Sequence, residues 1–243
     1  MERNTDREAD EVTGALHRVA EPDRIAVLSS FFKTGAGEYG CGDVFIGVSV
    51  PANRKVAKAF YAVSLDCIGR LLRSEVHEYR LCALLMLVEK YRRAADREQA
   101  ESVFDFYMAN LERANNWDLV DLSAPYILGE HVIGTGHSAV LHDLVKSGNM
   151  WRRRAAVVST LTLVRKGHLD EAMCMAAAVM DDAEELLWKA GGWVLREAGK
   201  KDEKRLTGFL DDNAAIMPRV MLRYAIERLP GDLRKHYMSL KNK

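Results

Sequence analysis

Residues 151–158 read Trp-Arg-Arg-Arg-Ala-Ala-Val-Val, a tryptophan followed by a long apolar run, and this pattern recurs along the chain. Residues 117–120 read Trp-Asp-Leu-Val, and residues 188–195 read Trp-Lys-Ala-Gly-Gly-Trp-Val-Leu. The tryptophans that open the three runs are 34 and 37 residues apart. A period in the high thirties is typical of armadillo- and HEAT-type arrays, in which each repeat is a pair of helices. The sequence therefore predicts an all-α, HEAT-like α-solenoid of stacked antiparallel helix pairs.

The spacing of apolar residues between the tryptophans is helical. Two stripes show the helical period, Leu81, Leu84, Leu85 and Val88 in one and Val103, Phe104, Met108 and Leu111 in the other. The second helices of the pairs are predicted at residues 94–114, 138–146 and 169–180. Because no run alternates with period two for long enough to form a strand, we expect no sheet. We expect a single domain over residues 1–243, in which residues 1–21 form an N-terminal helical extension.

The composition is that of a soluble globular protein. With 243 residues, 48% hydrophobic content and only five prolines, the chain can bury one continuous core. No apolar run approaches the roughly 20 residues that span a bilayer, and the first six residues are charged rather than signal-like. The four cysteines share no close spacing, which fits neither a zinc ligand set nor a disulfide framework. We therefore expect a cytoplasmic protein with reduced thiols.

The charges balance in number but are unevenly distributed. Thirty-five basic and 35 acidic residues give zero net charge, which by itself does not indicate a nucleic-acid-binding protein. Basic residues nevertheless gather at residues 54–58, 90–93, 152–154, 200–205 and 219–223. These clusters are either a basic track for phosphates or solvated outer faces of helices, and the sequence leaves both interpretations open.

Two further motifs suggest small-molecule or metal sites, but their contexts argue against both. Residues 34–43 contain a literal GxGxxG, yet this stretch follows a helix-like run in an all-helical chain, whereas a dinucleotide site follows a strand. We interpret it as a flexible loop. His131, His137 and His142 lie close in sequence, but no HExxH pattern or adjacent acid pair completes a metal site. We therefore expect no metal and no cofactor.

The most informative candidate site is the stretch from Asn115 to Tyr126. Asn116 is suited to cap a helix that begins at Trp117, and Asp121 then lies one turn further along the same face. An indole beside a carboxylate near the positive end of a helix is suited to a cationic guest. The alternative is that Trp117 is a core residue and that Asp118 and Asp121 are ordinary first-turn acids.

The chain resembles the AlkD-like DNA alkylation repair family of HEAT-repeat glycosylases from about Phe31 to Tyr237. The segments that carry the resemblance are residues 32–35 with 37–39, 44–51, 77–80, 115–129, 151–160, 192–197 and 217–219. The resemblance implies a concave DNA-binding groove and the excision of N3- and N7-alkylated purines from double-stranded DNA. The chain departs from the family near Phe32, where some members carry a tyrosine directed toward the lesion.

The resemblance also implies roles for individual residues. The catalytic carboxylate falls on Asp121, and the tryptophans that face the sugar fall on Trp117 and Trp193. The phosphate-binding arginine falls on Arg154. Further DNA contacts are expected at Arg152, Arg153, Lys33 and Pro51.

The chemistry of the implied reaction fits these residues. An alkylated purine that already carries positive charge leaves as a neutral base, so no general acid is needed. One carboxylate can stabilise the developing oxocarbenium ion and hold the water. If the helices of neighbouring repeats are packed side by side, Asp121 and Arg154 belong to one composite site. We expect a monomer that acts on DNA containing 3-methyladenine or 7-methylguanine. The alternative for the site is that Asp121 and Arg154 form a structural ion pair. The alternative for the protein is a non-catalytic DNA-binding or protein-binding scaffold.

Overall fold

The computed structural model describes the backbone of residues 2–240 and the side chains of residues 5–240, and this part of the chain consists of helices joined by turns and loops. No strand occurs within it; the one bridge of β type joins Val44 and Val76. The all-α prediction is therefore confirmed. The helices are α1 (Glu2–His17), α2 (Ile25–Phe31), α3 (Val50–Ala59), α4 (Leu65–Leu72), α5 (His77–Arg92), α6 (Arg97–Ala109), α7 (Trp117–Asp121), α8 (Glu130–Thr135), α9 (Ala139–Leu144), α10 (Met150–Arg165), α11 (Asp170–Ala178), α12 (Glu185–Gly199), α13 (Glu203–Asn213), α14 (Arg219–Ile226) and α15 (Gly231–Ser239).

The backbone contacts divide the chain into two compact units, Met1–Ser123 and Ala124–Lys243. In the first unit, α5 is the central helix and packs against α1, α3, α4, α6 and α7. Eleven of its 16 residues are buried, including the charged residues Glu78 and Arg80. A helix that is buried on nearly all faces is apolar around its circumference, so the apolar residues extend beyond the predicted stripe and include every position from 81 to 88. The predicted N-terminal extension, residues 1–21, contains α1, which packs against α3, α4 and α5.

In the second unit, α10 and α12 form the centre. Twelve of the 16 residues of α10 are buried, and α10 packs against α8, α9, α11, α12 and a π-helical turn at Pro125–Gly129. At Gly129 this turn approaches α10 so closely that a Cβ atom would lie 2.4 Å from the carbonyl oxygen of Ser159. The hydroxyl of Thr162 donates to the carbonyl oxygen of Pro125 at 2.5 Å, which ties the same turn to α10. Only glycine fits this contact.

Side-chain caps decide where several helices begin. Asn149 accepts hydrogen bonds from the backbone N–H groups of Trp151 and Arg152, so α10 begins at Met150. Asp96 caps α6 in the same way through Gln99, and this helix is therefore shorter than the predicted range of 94–114. The remaining predicted second helices, 138–146 and 169–180, correspond to α9 and α11 and are also shorter.

The position of the third repeat tryptophan differs from the prediction. Trp188 does not open its helix, because α12 begins three residues earlier at Glu185. The preceding residue, Glu184, has extended backbone angles and marks the boundary. Trp188 instead donates its indole N–H to the carbonyl oxygen of Asp182 at 2.9 Å, which fastens the first turn of α12 to the segment before it. Within residues 2–240, no helix combines the length and apolar character needed to cross a membrane.

Candidate functional site

Helix α7 carries the candidate residues Trp117 and Asp121 at its two ends. Asn116 has extended backbone angles, and its side-chain oxygen accepts the N–H of Trp117 at 2.8 Å, so the predicted helix start is confirmed. Trp117 and Asp121 are both half-buried and lie one helical turn apart. Asp118, in contrast, is buried, with only 4% of the residue exposed. The two acids of this short helix therefore differ in environment.

A stack of aromatic rings fixes the indole of Trp117. The ring of Phe32 lies between Trp117 and Phe45, with stacked centroid distances of 5.2 and 5.3 Å. Phe31 meets both Phe32 and Trp117 edge-on, at 5.1 and 5.6 Å, and is 60% exposed. We call Phe31, Phe32, Phe45 and Trp117 the aromatic stack. Such offset and edge-on contacts are favourable aromatic geometries, so the stack presents a half-buried indole beside an exposed phenyl ring.

Beneath the stack lies a buried group of charged side chains. The imidazole of His77 joins two carboxylates, with Nδ1 2.9 Å from Oδ2 of Asp43 and Nε2 2.9 Å from Oδ2 of Asp118. The guanidinium of Arg80 donates to the other oxygen of Asp43 at 2.6 Å and to the carbonyl oxygen of Ser74 at 2.8 Å. All four charged side chains are at most 5% exposed. We call Asp43, His77, Arg80 and Asp118 the His77 clamp.

The clamp changes the proton affinity of its members. Burial lowers the pKa of His77, but the hydrogen bonds and charges of Asp118 and Asp43 outweigh burial and raise this pKa to about 9. Burial raises the pKa of Asp43, but the hydrogen bond from His77 and the charge of Arg80 outweigh it, and the pKa of Asp43 lies below its usual value. At neutral pH, His77 is therefore a buried imidazolium.

The loop before α3 is fixed to α5 by backbone contacts. The carboxylate of Glu78 accepts the N–H groups of Ile46, Gly47 and Val48 at 2.9 to 3.2 Å. A carboxylate that accepts several backbone N–H groups is a strong local anchor. Glu78 thereby fixes the segment that follows Asp43 and leads into α3.

The glycine-rich stretch 34–43 follows a helix, α2, and is not preceded by a strand. It folds back on the end of α2, because the N–H of Gly40 donates to the carbonyl oxygen of Lys33 at 3.0 Å. A Cβ atom at Gly40 would lie 2.2 Å from the carbonyl oxygen of Phe32, so this turn requires glycine. The stretch therefore shapes the end of α2 and does not have the context of a dinucleotide fingerprint.

The candidate residues of the second unit lie on α10 and α12. Trp193 is half-buried on α12. Arg154 is buried, and its Nη1 donates to the carbonyl oxygen of Leu186 at 2.5 Å. Arg153 forms a two-point ion pair with Asp182 at 2.8 and 3.1 Å, while Arg152 is half-buried. Asp121 belongs to the first unit and Arg154 to the second, so the composite site remains a prediction.

The basic clusters are of two kinds. Arg54, Lys55 and Lys58 are exposed on α3, next to the exposed Pro51. Lys33 is exposed as well, with its Nζ 3.7 Å from a carboxylate oxygen of Glu38. Other clusters form ion pairs with nearby acids: Arg92 and Arg93 with Glu89, Lys200 with Glu197, and Arg205 with Asp170. The basic face of α3 favours the interpretation as a phosphate track, whereas the paired clusters favour that of solvated outer faces.

One of the three histidines considered above belongs to a group that could hold a metal ion. The Nε2 of His142 lies 3.1 Å from Oε2 of Glu171, and Cys174 adds a sulfur such that the three ligand atoms lie within 4.8 Å of one another. His131 and His137 are not members of this group. The sequence does not reveal this group, because α9 supplies the histidine and α11 supplies the other two residues. The only local signal is the three-residue spacing of Glu171 and Cys174.

Fold and site together define an all-α protein whose central helices are buried on nearly every face and whose short helix α7 presents an indole and a carboxylate. The chain belongs to the family described as DNA alkylation repair enzyme, which matches residues 12–229. The match begins within α1, earlier than the expected start near Phe31, and ends at Leu229, before the expected limit at Tyr237.

Solved structures support the fold. A predicted DNA alkylation repair enzyme from Enterococcus faecalis is 18% identical, with a TM-score of 0.66, over 87% of this chain and 97% of that chain. AlkD2 from Streptococcus mutans is 17% identical, with a TM-score of 0.58, over 86% of this chain and 99% of that chain. No curated protein matches the chain.

Proposed function

We propose that this DNA alkylation repair enzyme is a monofunctional DNA glycosylase that hydrolyses the N-glycosidic bond of N3- and N7-alkylated purines in duplex DNA and leaves an abasic site. The observation that carries the proposal is that the two carboxylates of α7 lie in different environments. Asp118 is turned into the His77 clamp, whereas Asp121 and Trp117 are half-buried at the two ends of the same helical turn. An indole face and a carboxylate are the groups that a cationic nucleoside requires.

The proposed reaction needs little beyond these groups. In the 7-methylguanine or 3-methyladenine deoxynucleotide of DNA the base is cationic and departs as a neutral molecule, so no general acid has to protonate it. Positive charge then develops on the sugar, and Asp121 stabilises it electrostatically while it positions the water that attacks C1′. Trp117 and Trp193 supply aromatic faces to the sugar. The reaction uses no metal and no cofactor.

DNA binding is proposed to depend on phosphate contacts. Exposed basic residues on α3 carry positive charge, whereas the basic clusters on other helices are paired with acids. Lys33, which lies near Glu38, and Pro51 are proposed as further contacts with DNA. Arg154, whose Nη1 donates to the carbonyl oxygen of Leu186, is proposed to bind the phosphate beside the lesion. Arg153 donates to Asp182; this ion pair orders the Arg153 side chain but offsets its positive charge. Arg152 is the third arginine of this group.

These contacts are expected to line a concave groove in a HEAT-like array, with residues 1–243 acting as one domain. The protein is proposed to act as a monomer in the cytoplasm. Binding through phosphates carries little sequence information, so recognition of the lesion rests on its charge and on its weakened glycosidic bond rather than on flanking bases.

The decisive experiment is single-turnover incubation with duplexes that contain one 7-methylguanine or one 3-methyladenine, followed by detection of the released base and of the abasic site. The proposal predicts release of both bases and no release from the undamaged duplex. DNA binding without release from either substrate would favour a non-catalytic scaffold. Absence of both binding and release would favour a protein-binding scaffold.

A further inference from the structure

We propose that His77 is the positioning residue of the active site: as an imidazolium, it holds α7 and the aromatic stack in the arrangement that presents Trp117 and Asp121 to the nucleoside. The proposal rests on the proposed function, because it assigns a role toward Asp121. It is carried by the geometry of the His77 clamp, in which one buried ring joins three separate segments of the first unit.

Both ring nitrogens of His77 must donate. Each lies 2.9 Å from a carboxylate oxygen, and an ionised carboxylate can only accept. A neutral imidazole carries a single N–H. Its other nitrogen would then direct a lone pair at the lone pairs of a carboxylate oxygen, which is repulsive. Only the doubly protonated ring satisfies Asp43 and Asp118 together.

Helix α7 depends on this contact because it is too short to be stable alone. It contains five residues, whereas isolated helices shorter than about 12–15 residues are marginal in water. Asp118 lies next to Trp117 and three residues before Asp121, so the bond from His77 fixes the turn that carries both. The second oxygen of Asp118, Oδ1, is buried and accepts no hydrogen bond from any described residue. A neutral His77 could donate to only one of its two carboxylates, so loss of its proton would leave either Asp118 or Asp43 without a hydrogen bond from the ring.

The same ring supports the aromatic stack. Phe45 stacks on the imidazole at 4.6 Å between centroids, and Phe32 lies against it at 4.9 Å. Phe32 in turn stacks on Trp117. A cationic ring is attracted to aromatic faces, so protonation favours this packing as well as the two hydrogen bonds.

The charged groups around His77 account for its protonation. Asp43, the last residue of the glycine-rich stretch, and Asp118, from α7, face the ring directly. Arg80, from α5 itself, opposes protonation but is bound to the far oxygen of Asp43. Glu78, also from α5, is directed toward the backbone N–H groups of residues 46–48. The two carboxylates that face His77 outnumber the one guanidinium, which is engaged elsewhere.

The test is the pH profile of single-turnover excision of 7-methylguanine, with uncatalysed loss subtracted at each pH. For the wild type, the rate should be level near neutral pH and should fall about tenfold per pH unit above the pKa of His77, which lies at about 9. Asp43→Asn removes one carboxylate that favours the imidazolium, so the midpoint should move to lower pH. His168→Gln, at an exposed position in the second unit, should leave the profile unchanged. A profile that stays level past the titration of His77, or a midpoint that Asp43→Asn does not move, would overturn the proposal.

A second measurement keeps this proposal separate from the proposed function. Titration of ¹⁵N-labelled histidine by NMR gives the protonation state of His77 directly, and hydrogen exchange reports on the α7 amides. The expected result is that α7 loses protection over the same pH range in which His77 loses its proton. This outcome in a protein that releases no base would refute the glycosylase function but leave the positioning of α7 intact. A neutral His77 at pH 7 would refute the positioning role whatever the enzymatic activity.

An independent observation in the second unit points to a metal site. We infer that His142, Glu171 and Cys174 bind one Zn²⁺ ion, or another divalent ion that accepts nitrogen, oxygen and sulfur ligands. Imidazole, carboxylate and thiolate are the ligand types that zinc prefers. Glu171 and Cys174 lie three residues apart on α11 and therefore share a face, and His142 reaches this face from α9. A fourth, solvent-filled position would complete a tetrahedron.

The probe for this site is Co²⁺, whose visible d–d and thiolate-to-metal charge-transfer bands report on geometry and on sulfur ligation. One equivalent should bind with tetrahedral bands, and Zn²⁺ should displace it. Cys174→Ser should abolish the charge-transfer band, whereas Cys41→Ser, which changes the other exposed cysteine, should retain it. Absence of a band in the wild type, or a band unaffected by Cys174→Ser, would overturn the inference.

Discussion

Replacement of His77 by glutamine should remove the pH dependence of stability that the clamp creates. Because the folded pKa of His77 is raised from 6.5 to about 9, the stabilisation is fully present below the unfolded value and is lost as the pH rises through the folded value. The raised pKa corresponds to about 3 kcal/mol at low pH, of which about 2 kcal/mol should be lost between about pH 6 and pH 8.5. Asp43 acts in the opposite direction: its lowered pKa gives stability that is lost only as the pH falls through that lowered pKa.

The assay is urea unfolding followed by far-UV circular dichroism at several pH values between 6 and 8.5, with hydrogen exchange of α5 and α7 as a local measure. This range stays below the titration of two buried thiols, because burial raises the pKa of Cys67 to about 11 and that of Cys82 to about 12. His77→Gln should be less stable than the wild type at pH 6 and should approach it in stability by pH 8.5. His168→Gln is the control, since it changes an exposed histidine of the second unit.

Two results would refute this reasoning. The first is a wild-type free energy of unfolding that does not fall between pH 6 and 8.5, because a buried imidazolium cannot lose its proton without cost to the carboxylates that face it. The second is a fall of the same size in His77→Gln, which would assign the effect to other groups.

The remaining predictions concern packing, DNA binding and metal dependence. Gly129→Ala should lower the free energy of unfolding by about 1–3 kcal/mol, because its Cβ would meet the carbonyl oxygen of Ser159. Gly208→Ala, on α13 with no atom near its Cβ, should raise the free energy of unfolding slightly. Equal effects of the two substitutions in thermal unfolding would refute the close contact at Gly129. DNA affinity should fall steeply with salt: a plot of log association constant against log salt concentration should have a slope of about −0.9 per phosphate contact, and a nearly flat plot would contradict phosphate binding. Arg154→Ala should weaken binding and excision together, whereas Arg234→Ala should change neither. EDTA should leave the excision rate unchanged even if it strips a metal from His142, Glu171 and Cys174, so a loss of excision on chelation would contradict a metal-free reaction.

The sequence predicts the helical fold because its signals are local. The recurring tryptophans and the helical period of residues 81–88 need no knowledge of distant contacts, and Asn116 and Asn149 are recognisable as caps from the residues beside them. The start of α12 was predicted too late, because the acidic residues between Asp181 and Glu185 form a polar break before Trp188, although the helix already begins at Glu185.

The clamp could not be predicted because it depends on distant residues. His77 meets Asp43 across 34 positions of sequence and Asp118 across 41. In the sequence, His77 and Glu78 resemble an ordinary polar helix start, and Asp118 resembles a first-turn acid favoured by the helix dipole. The role of Asp118 follows only from the packing of α7 against α5, which turns its carboxylate into the interior.

Single-turnover excision of 7-methylguanine by Asp121→Asn tests the central claim most directly. This substitution keeps the volume of the side chain but removes the charge that stabilises the oxocarbenium ion, so excision should fall on the order of 10²- to 10³-fold while DNA affinity holds or improves. Asp105→Asn makes the same change at an exposed position on α6 and should leave the rate within about twofold, since it removes no charge from the proposed site. A loss of only a few-fold in Asp121→Asn, or an equal loss in both variants, would contradict the assignment of Asp121 as the catalytic carboxylate.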